Sequence, residues 1–327
     1  MKGPDIIERY SRVPLGRLQT PIQKLAGNVS SAEVWVKRDD LTGLGLSGNK
    51  VRKLEYLLHD AQSCGADTLI TCGGVQSNHA RATALAGARL GLATHALLRG
   101  ADGAEPQGNL LLMQLAGATI HGCTPDEYQH RDRHMETIAA TLRGEGHRPY
   151  IIPEGGSNAL GCMGYVRACA EIANFEQESG VQFDSILCAV GSGGTYAGLR
   201  AGKALFGLQA RILGVNVCDD ARTFVRRTDT LLEQFNMLLG EELRLDPRDE
   251  IIDGFVGSGY GIPTEDCQSA IHYAASTSGL LLDPVYTGKA FGALRAEPRG
   301  GRLGKRALFI HTGGAFGLFP QAKAILL

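Results

Sequence analysis

Two apolar rhythms alternate along the chain. Short apolar runs, most of them closing on glycine or cysteine, read as buried strands: "AEVWVK" (32–37), "DTLITCGG" (67–74), "ATHALLRG" (93–100), "ATIHGC" (118–123), "PYIIPEGGSN" (149–158), "DSILCAV" (184–190), "RILGVNVC" (211–218) and "RALFIHTGG" (306–314). Between them lie segments with helical spacing. "KVRKLEYLLHDA" (50–61) puts residues 51, 54, 57 and 58 on one apolar face, with Ser47 and Asn49 as candidate caps. "NHARATALAGARLG" (78–91) is an alanine-rich helix stopped by glycine, "GNLLLMQLAGA" (108–118) a second, and 125–146 a single polar-faced helix. A further helix follows "GSGG" near 194, and another spans 265–279. This strand–helix alternation predicts an α/β fold of parallel sheets covered by helices on both faces. Glycines at the carboxyl ends of several strands place their loops along one crevice, where open α/β sheets bind ligands.

A length of 327 residues allows two domains sharing an interface. The sequence shows no repeat and no low-complexity linker. The division it suggests is a small α/β domain over 47–160 and a larger one made of 1–46 plus 161–327. The chain is 43% hydrophobic and 20% charged with a net charge of −1, so no basic excess argues for nucleic acid or an anionic membrane surface. The start "MKGPDIIERYSRVPLG" has no apolar signal region, and no apolar run approaches the length of a membrane span. Eight cysteines without a C-x-x-C pair read as reduced, mostly buried thiols of a cytoplasmic protein, with no metal site. Cys162 and Cys169 are spaced to share a helix face as packing.

Two glycine-rich loops carry the candidate chemistry. Gly43, Gly45 and Gly48 spell G-x-G-x-x-G, but residues 38–42 separate them from the nearest strand, and Asp67 opens its strand instead of ending it. That context speaks against a dinucleotide site and hence against a nicotinamide dehydrogenase. The second loop, "GSGGT" (191–195), does run from strand to helix, with Tyr196 where a third glycine would stand and no Gly-Lys-Ser/Thr. Free amides, two hydroxyls and a helix N-terminus suit a single phosphate monoester; a plain strand-to-helix turn is the bland alternative. Lys50 begins a helix directly after "SGN". The positive end of the helix dipole and the nearby Arg52 and Lys53 would lower its pKa and free its amine, although the same residues also describe a solvated basic helix start. A phosphate cup plus an activated amine fits pyridoxal 5'-phosphate held as a Schiff base.

The ordered set "KRDDLTG…SGNKVRKLEYLL", "GGVQSNHAR", "IPEGGSN", "VGSGGTYAGL", "GYGIP", "DPVYTGKA" and "HTGG" resembles the D-cysteine desulfhydrase and 1-aminocyclopropane-1-carboxylate (ACC) deaminase family, over about residues 8 to 320. The resemblance implies a fold type II pyridoxal-phosphate enzyme, similar to tryptophan synthase β. Such an enzyme has two open twisted parallel-sheet domains with the cofactor in the cleft between them. It implies that Lys50 holds the cofactor, that Asn78 lies beside its ring, and that Ser77 sits at the substrate carboxylate with Gln76 and His79 flanking. Gly191, Ser192, Gly193, Gly194 and Thr195 match the phosphate cup, with Lys53 approaching the same phosphate. Tyr260 and Tyr286 match two active-site tyrosines, and Thr312 lies near the ring nitrogen. Taken singly, Tyr260 reads as a loop tyrosine packed on proline and His79 as a helix-start cap.

Two positions separate the activities within the family. The ACC deaminases carry glutamate after the "DPVY" tyrosine and leucine in the late motif, where this chain has Thr287 and Thr312. A hydroxyl at the ring nitrogen makes a weaker electron sink than a carboxylate, which suits β-elimination better than ring opening. The expected enzyme is therefore a carbon–sulfur lyase on a small amino acid, foremost D-cysteine desulfhydrase, with Lys50 as general base and Tyr260 or Tyr286 assisting the leaving group. The alternatives are L-cysteate sulfo-lyase, an ACC deaminase-type enzyme, or a non-catalytic cofactor-binding protein. Arg99 reads as an exposed loop arginine or, alternatively, as a sulfonate contact. A homodimer is expected, without nucleic-acid or membrane partners.

Overall fold

Ten strands form two sheets in the computed structural model, which describes residues 3–27, 29–298 and 300–326. Met1, Lys2, Asn28, Arg299 and Leu327, which the domain ranges above include, lie outside the described residues. Four strands make the smaller sheet: β3 (Thr68–Gly74), β4 (Ala93–Arg99), β5 (Thr119–Cys123) and β6 (Pro149–Ile151), in the order β5-β4-β3-β6 and all parallel. The larger sheet holds β1 (Ile22–Lys24), β2 (Glu33–Lys37), β7 (Ser185–Val190), β8 (Arg211–Asn216), β9 (Glu250–Ile252) and β10 (Arg306–Ile310), in the order β1-β2-β10-β7-β8-β9. Its strands are parallel except at the edge, where β1 runs antiparallel to β2. All strands of the smaller sheet fall within 47–160 and all strands of the larger fall outside it; we propose those limits as the domain boundaries.

The apolar runs become strands because both their faces are covered. Every residue of β7 is buried, as are the first six of β3, the pattern of a parallel strand between helical layers. The expected helix face at 51, 54, 57 and 58 is fully buried, and it packs with Leu69 of β3 and Ile152. Two long helices escaped the sequence reading, Ala159–Ser179 and Ala221–Leu239. Cys162 and Cys169 are indeed buried on the first of them, and all eight cysteines are free, only Cys64 being exposed. The segment 125–146 is two helices, Pro125–Gln129 and Arg131–Gly144, broken at His130. Thr124 and Glu127 form a reciprocal cap at its start, which fixes the direction of the first short helix. No helix among the described residues is long and apolar enough to cross a membrane.

The strand orders position the site. In the smaller sheet β3, β4 and β5 step one way and β6 returns to the far side of β3. In the larger, β7, β8 and β9 step one way and β10 returns to the far side of β7. Each reversal opens a crevice outside the carboxyl ends of two adjacent strands. The loops that follow β3, β6, β7 and β10 meet around one cavity of about 430 Å³.

Candidate active site

Lys50 enters this cavity from the second position of the helix Asn49–Ser63. Neither Ser47 nor Asn49 caps that helix. The N-cap is Gly48, at φ +92°, and a Cβ there would stand 2.6 Å from the carbonyl of Thr312. Only glycine lets the chain pass so close to the β10 loop, and the passage is fixed by Asn49 N–H donating to Thr312 O at 3.1 Å. The residues that spoil the dinucleotide fingerprint anchor the turn. Gly48 N–H donates to the Asp39 carbonyl, and the buried Asp39 carboxylate receives Arg52, Tyr165 and Thr20 at 2.6–2.9 Å. Burial alone would raise the pKa of Asp39, but Arg52 and Lys37 hold it down to about 2.

The basic helix start is not solvated. Arg52 is fully buried and paired with Asp39 at 2.8 Å and Glu171 at 2.7 Å. Lys53 is buried too, and its amine donates to Gly155 O and Ser157 Oγ, both at 3.1 Å. The Lys50 amine has no hydrogen bond or ion pair to any described residue, and it faces the cavity beside Gly155. Its pKa falls to about 8, chiefly because burial disfavours the ammonium, with Glu154 and Cys218 working the other way. The nearby charge expected from Arg52 is cancelled by its carboxylate partners. Lys53 is shifted well below the ordinary lysine range by burial and then by the charge of Lys50.

The loop "GSGGT" turns at Gly193, φ +87°, into the helix Gly194–Phe206. Its first-turn amides have no intrahelical acceptor, and that of Gly194 donates to Ser157 Oγ at 3.3 Å. Ser192 Oγ lies 2.9 Å from Ser157 Oγ, and Asn49 Nδ2 donates to Thr195 Oγ1 at 3.0 Å. A Cβ on Gly194 would stand 2.6 Å from Ser157 Oγ and 2.8 Å from Lys53 Nζ, so the glycine lets the turn settle on a polar floor. Amides, hydroxyls and an amine around a glycine cup, next to a second amine without a partner, are the donor set that a phosphorylated aldehyde requires. Pyridoxal phosphate thus fits the residues present.

Around this centre the other expected residues take different places. Ser77 is the N-cap of the helix Asn78–Leu90, accepting from Ala80 N–H at 3.1 Å and lining the cavity. Its own hydroxyl proton stays free to donate inward. Asn78 lines the cavity with its Oδ1 held by Asn109 at 3.0 Å. His79 is no cap: it is buried, its Nε2 lies 2.9 Å from Thr71 Oγ1, and burial followed by the two lysines keeps it neutral. Gln76 faces away, bonded to Gln107 O and Asn109 N in the neighbouring loop. Tyr260 and Tyr286 share a hydroxyl contact of 2.8 Å, with rings 6.1 Å apart. Burial pushes Tyr260 up to about 12 and Tyr286 well above the ordinary tyrosine range, so both keep their protons. Thr312 lines the cavity. Thr287 does not; its hydroxyl donates to Asp283 Oδ1 at 2.7 Å, and Asp283 also receives the amides of residues 285–287.

Sequence reasoning missed Tyr128, Glu154 and Cys218 in the cavity wall and Ser157 on the floor beneath the cup, while Arg99, read foremost as an exposed loop arginine, is a half-buried strand residue lining the cavity. Tyr128 donates to Glu154 at 2.7 Å, and Cys218 is kept a neutral thiol by burial, at about 12. Ser157 had a readable signal, the glycine turn "EGGSN" directly after a strand, whereas Arg99 and Tyr128 are brought together only by the topology.

A family model described as pyridoxal-phosphate dependent enzyme matches residues 13–313. The bifunctional D-cysteine desulfhydrase/1-aminocyclopropane-1-carboxylate deaminase of Arabidopsis thaliana is 41% identical over 94% of this chain and 79% of that one. The D-cysteine desulfhydrase of Klebsiella pneumoniae is 39% identical over 96% of this chain and 97% of that one. A crystal structure of an ACC deaminase homologue superposes with a TM-score of 0.92 at 42% identity, covering 99% and 98% of the two chains. With a cofactor cup, an amine without a partner and relatives matched over nearly the whole length, the chain belongs to the pyridoxal-phosphate-dependent enzymes of fold type II, in the family of the ACC deaminases and D-cysteine desulfhydrases.

Proposed function

We propose that this enzyme catalyses β-elimination from a small sulfur-containing amino acid, foremost D-cysteine, giving pyruvate, sulfide and ammonia. The observation that carries the proposal is the neutral hydroxyl of Thr312 at the cavity wall. The resemblance assigns that position to the ring nitrogen, and Asp283, whose carboxylate lies against Gly314 nearby, is occupied by the amides of residues 285–287 and the Thr287 hydroxyl.

Bound pyridoxal phosphate supplies the electron sink that makes the α-proton of an amino acid removable. The protein supplies the rest. The cup at 191–195, with Ser157 and Lys53 beneath it, holds the phosphate. Ser77 and Asn78 hold the substrate carboxylate. Lys50, with its pKa near 8, is a competent base close to neutral pH and takes the α-proton at Nζ. Tyr260 and Tyr286 share one hydrogen bond, so the pair keeps one hydroxyl proton to donate to the departing sulfur. Seven buried, free cysteines suit a reducing cytoplasm, and a homodimer is the assembly we expect.

The second reading is ACC deamination, which the two-part name of the Arabidopsis relative keeps in view. A panel of D-cysteine, L-cysteine, L-cysteate, β-chloroalanine and ACC separates the readings by product. Sulfide with pyruvate from D-cysteine supports the lyase. 2-Oxobutyrate from ACC, with no product from the others, overturns it.

A further inference from the structure

Arg99 closes β4 and pairs in register with Gly74 at the end of β3, so it stands at the mouth of the crevice. It is half-buried, and its side chain lines the cavity. Its guanidinium carbon lies 5.0 Å from the ring centre of Tyr128 and 5.1 Å from that of Tyr260. Two rings on opposite sides of the cleft therefore hold the cation in place without using any of its N–H donors. The other arginines of the cavity have carboxylate partners: Arg131 pairs with Glu154 at 3.3 Å and Arg227 with Asp219 at 3.4 Å. The Arg99 guanidinium has no ion pair and no hydrogen bond to any described residue, its ring contacts aside. A positioned guanidinium with a free planar fork, facing a substrate cavity, is a receptor for a carboxylate or sulfonate.

We propose that Arg99 binds a negative charge carried by the β-substituent of the substrate. Within the small sulfur amino acids, the cavity then accepts an anionic sulfur group such as a sulfonate as well as a thiol. This deepens the β-elimination reading and rests on it. In that reaction the carbon–sulfur bond breaks with its electron pair passing to sulfur, sulfite or thiolate departs, and the α-proton goes to Lys50. The remaining 2-aminoacrylate is hydrolysed to pyruvate and ammonia. Arg99 meets both the charge the sulfonate brings and the charge that gathers on sulfur as the bond breaks.

The test uses the cofactor-loaded enzyme with Arg99→Gln and Arg99→Lys. Alanine and aspartate, in both enantiomers, differ by a carboxylate on the β-carbon, and their binding is read from the visible spectrum of the cofactor. The wild type should bind aspartate roughly tenfold or more tighter than alanine, a gap that Arg99→Gln removes and Arg99→Lys partly restores. In turnover, Arg99→Gln should lower kcat/KM by about a hundredfold for cysteate and by only a few-fold for β-chloroalanine, which is neutral at its β-carbon. Equal binding of alanine and aspartate by the wild type overturns the proposal. So does an equal loss on every substrate, which would assign Arg99 to holding the two rings. If no amino acid perturbs the spectrum, the lyase reading itself falls and takes Arg99 with it.

Discussion

Lys50 and Lys53 sit one helical turn apart, and their surroundings give them different work. Lys53 spends its amine on a carbonyl and a hydroxyl, while Lys50 has neither. Because burial brings the pKa of Lys50 down to about 8, its neutral fraction rises tenfold per pH unit up to that point and then saturates. The rate at which the cofactor-free protein takes up pyridoxal phosphate should therefore climb between pH 6 and about 8 and level off above. Stopped-flow growth of the visible band measures this, and a rate still climbing at pH 9.5 would place the amine in an ordinary, solvated state. Ser77 has two duties, which different measurements separate. Ser77→Ala should cost about 1 kcal/mol of stability through the lost helix cap. It should also lower kcat/KM by roughly 10- to 100-fold through the lost carboxylate contact. A kinetic loss no larger than the change in folded population would reduce Ser77 to its capping role.

At the scale of elements, the helix Asn49–Ser63 delivers the lysine, and the turn before it sets the aim. Gly48→Ala adds a Cβ at φ +92°, 2.6 Å from the Thr312 carbonyl, so the β10 loop must yield. The expected outcome is a protein that still folds, with a melting temperature lowered by several degrees and markedly slower cofactor uptake. Uptake at the wild-type rate would show that this passage does not position Lys50. Arg52→Ala strips the partner from the buried Asp39 and should cost about 3–5 kcal/mol in chemical denaturation. These two residues also mark where sequence reading stops. The apolar stripe at 51, 54, 57 and 58 was legible because periodicity reports a buried face. The cap and the burial of Arg52 were not, because both depend on chain more than a hundred residues away: Thr312 at the first, Glu171 at the second. The break at His130 left no mark either, since neither proline nor glycine stands at that position.

Across the whole molecule, glycine-ended strands foretold a crevice, and the two strand reversals explain why the walls of the Lys50 cavity come from both sheets. Lys50, Ser77, Asn78, the 191–195 cup and the tyrosine pair could be named from motifs, and of these Ser77, Asn78 and the cup sit directly after the strands β3 and β7. Tyr128 could not, since a helical tyrosine carries no local signature until the fold sets Arg99, read from the sequence foremost as an exposed loop residue, between it and Tyr260. Thr287 shows the opposite limit: a position prominent in the motif is spent on holding Asp283 rather than on the cavity wall. The reading as a whole depends on one covalent assignment, which borohydride reduction of the cofactor-loaded protein followed by peptide mapping reaches directly. The phosphopyridoxyl mass should fall on the peptide bearing Lys50 and disappear in Lys50→Ala. A label on Lys53 or any other lysine, or no label at all, contradicts the site described.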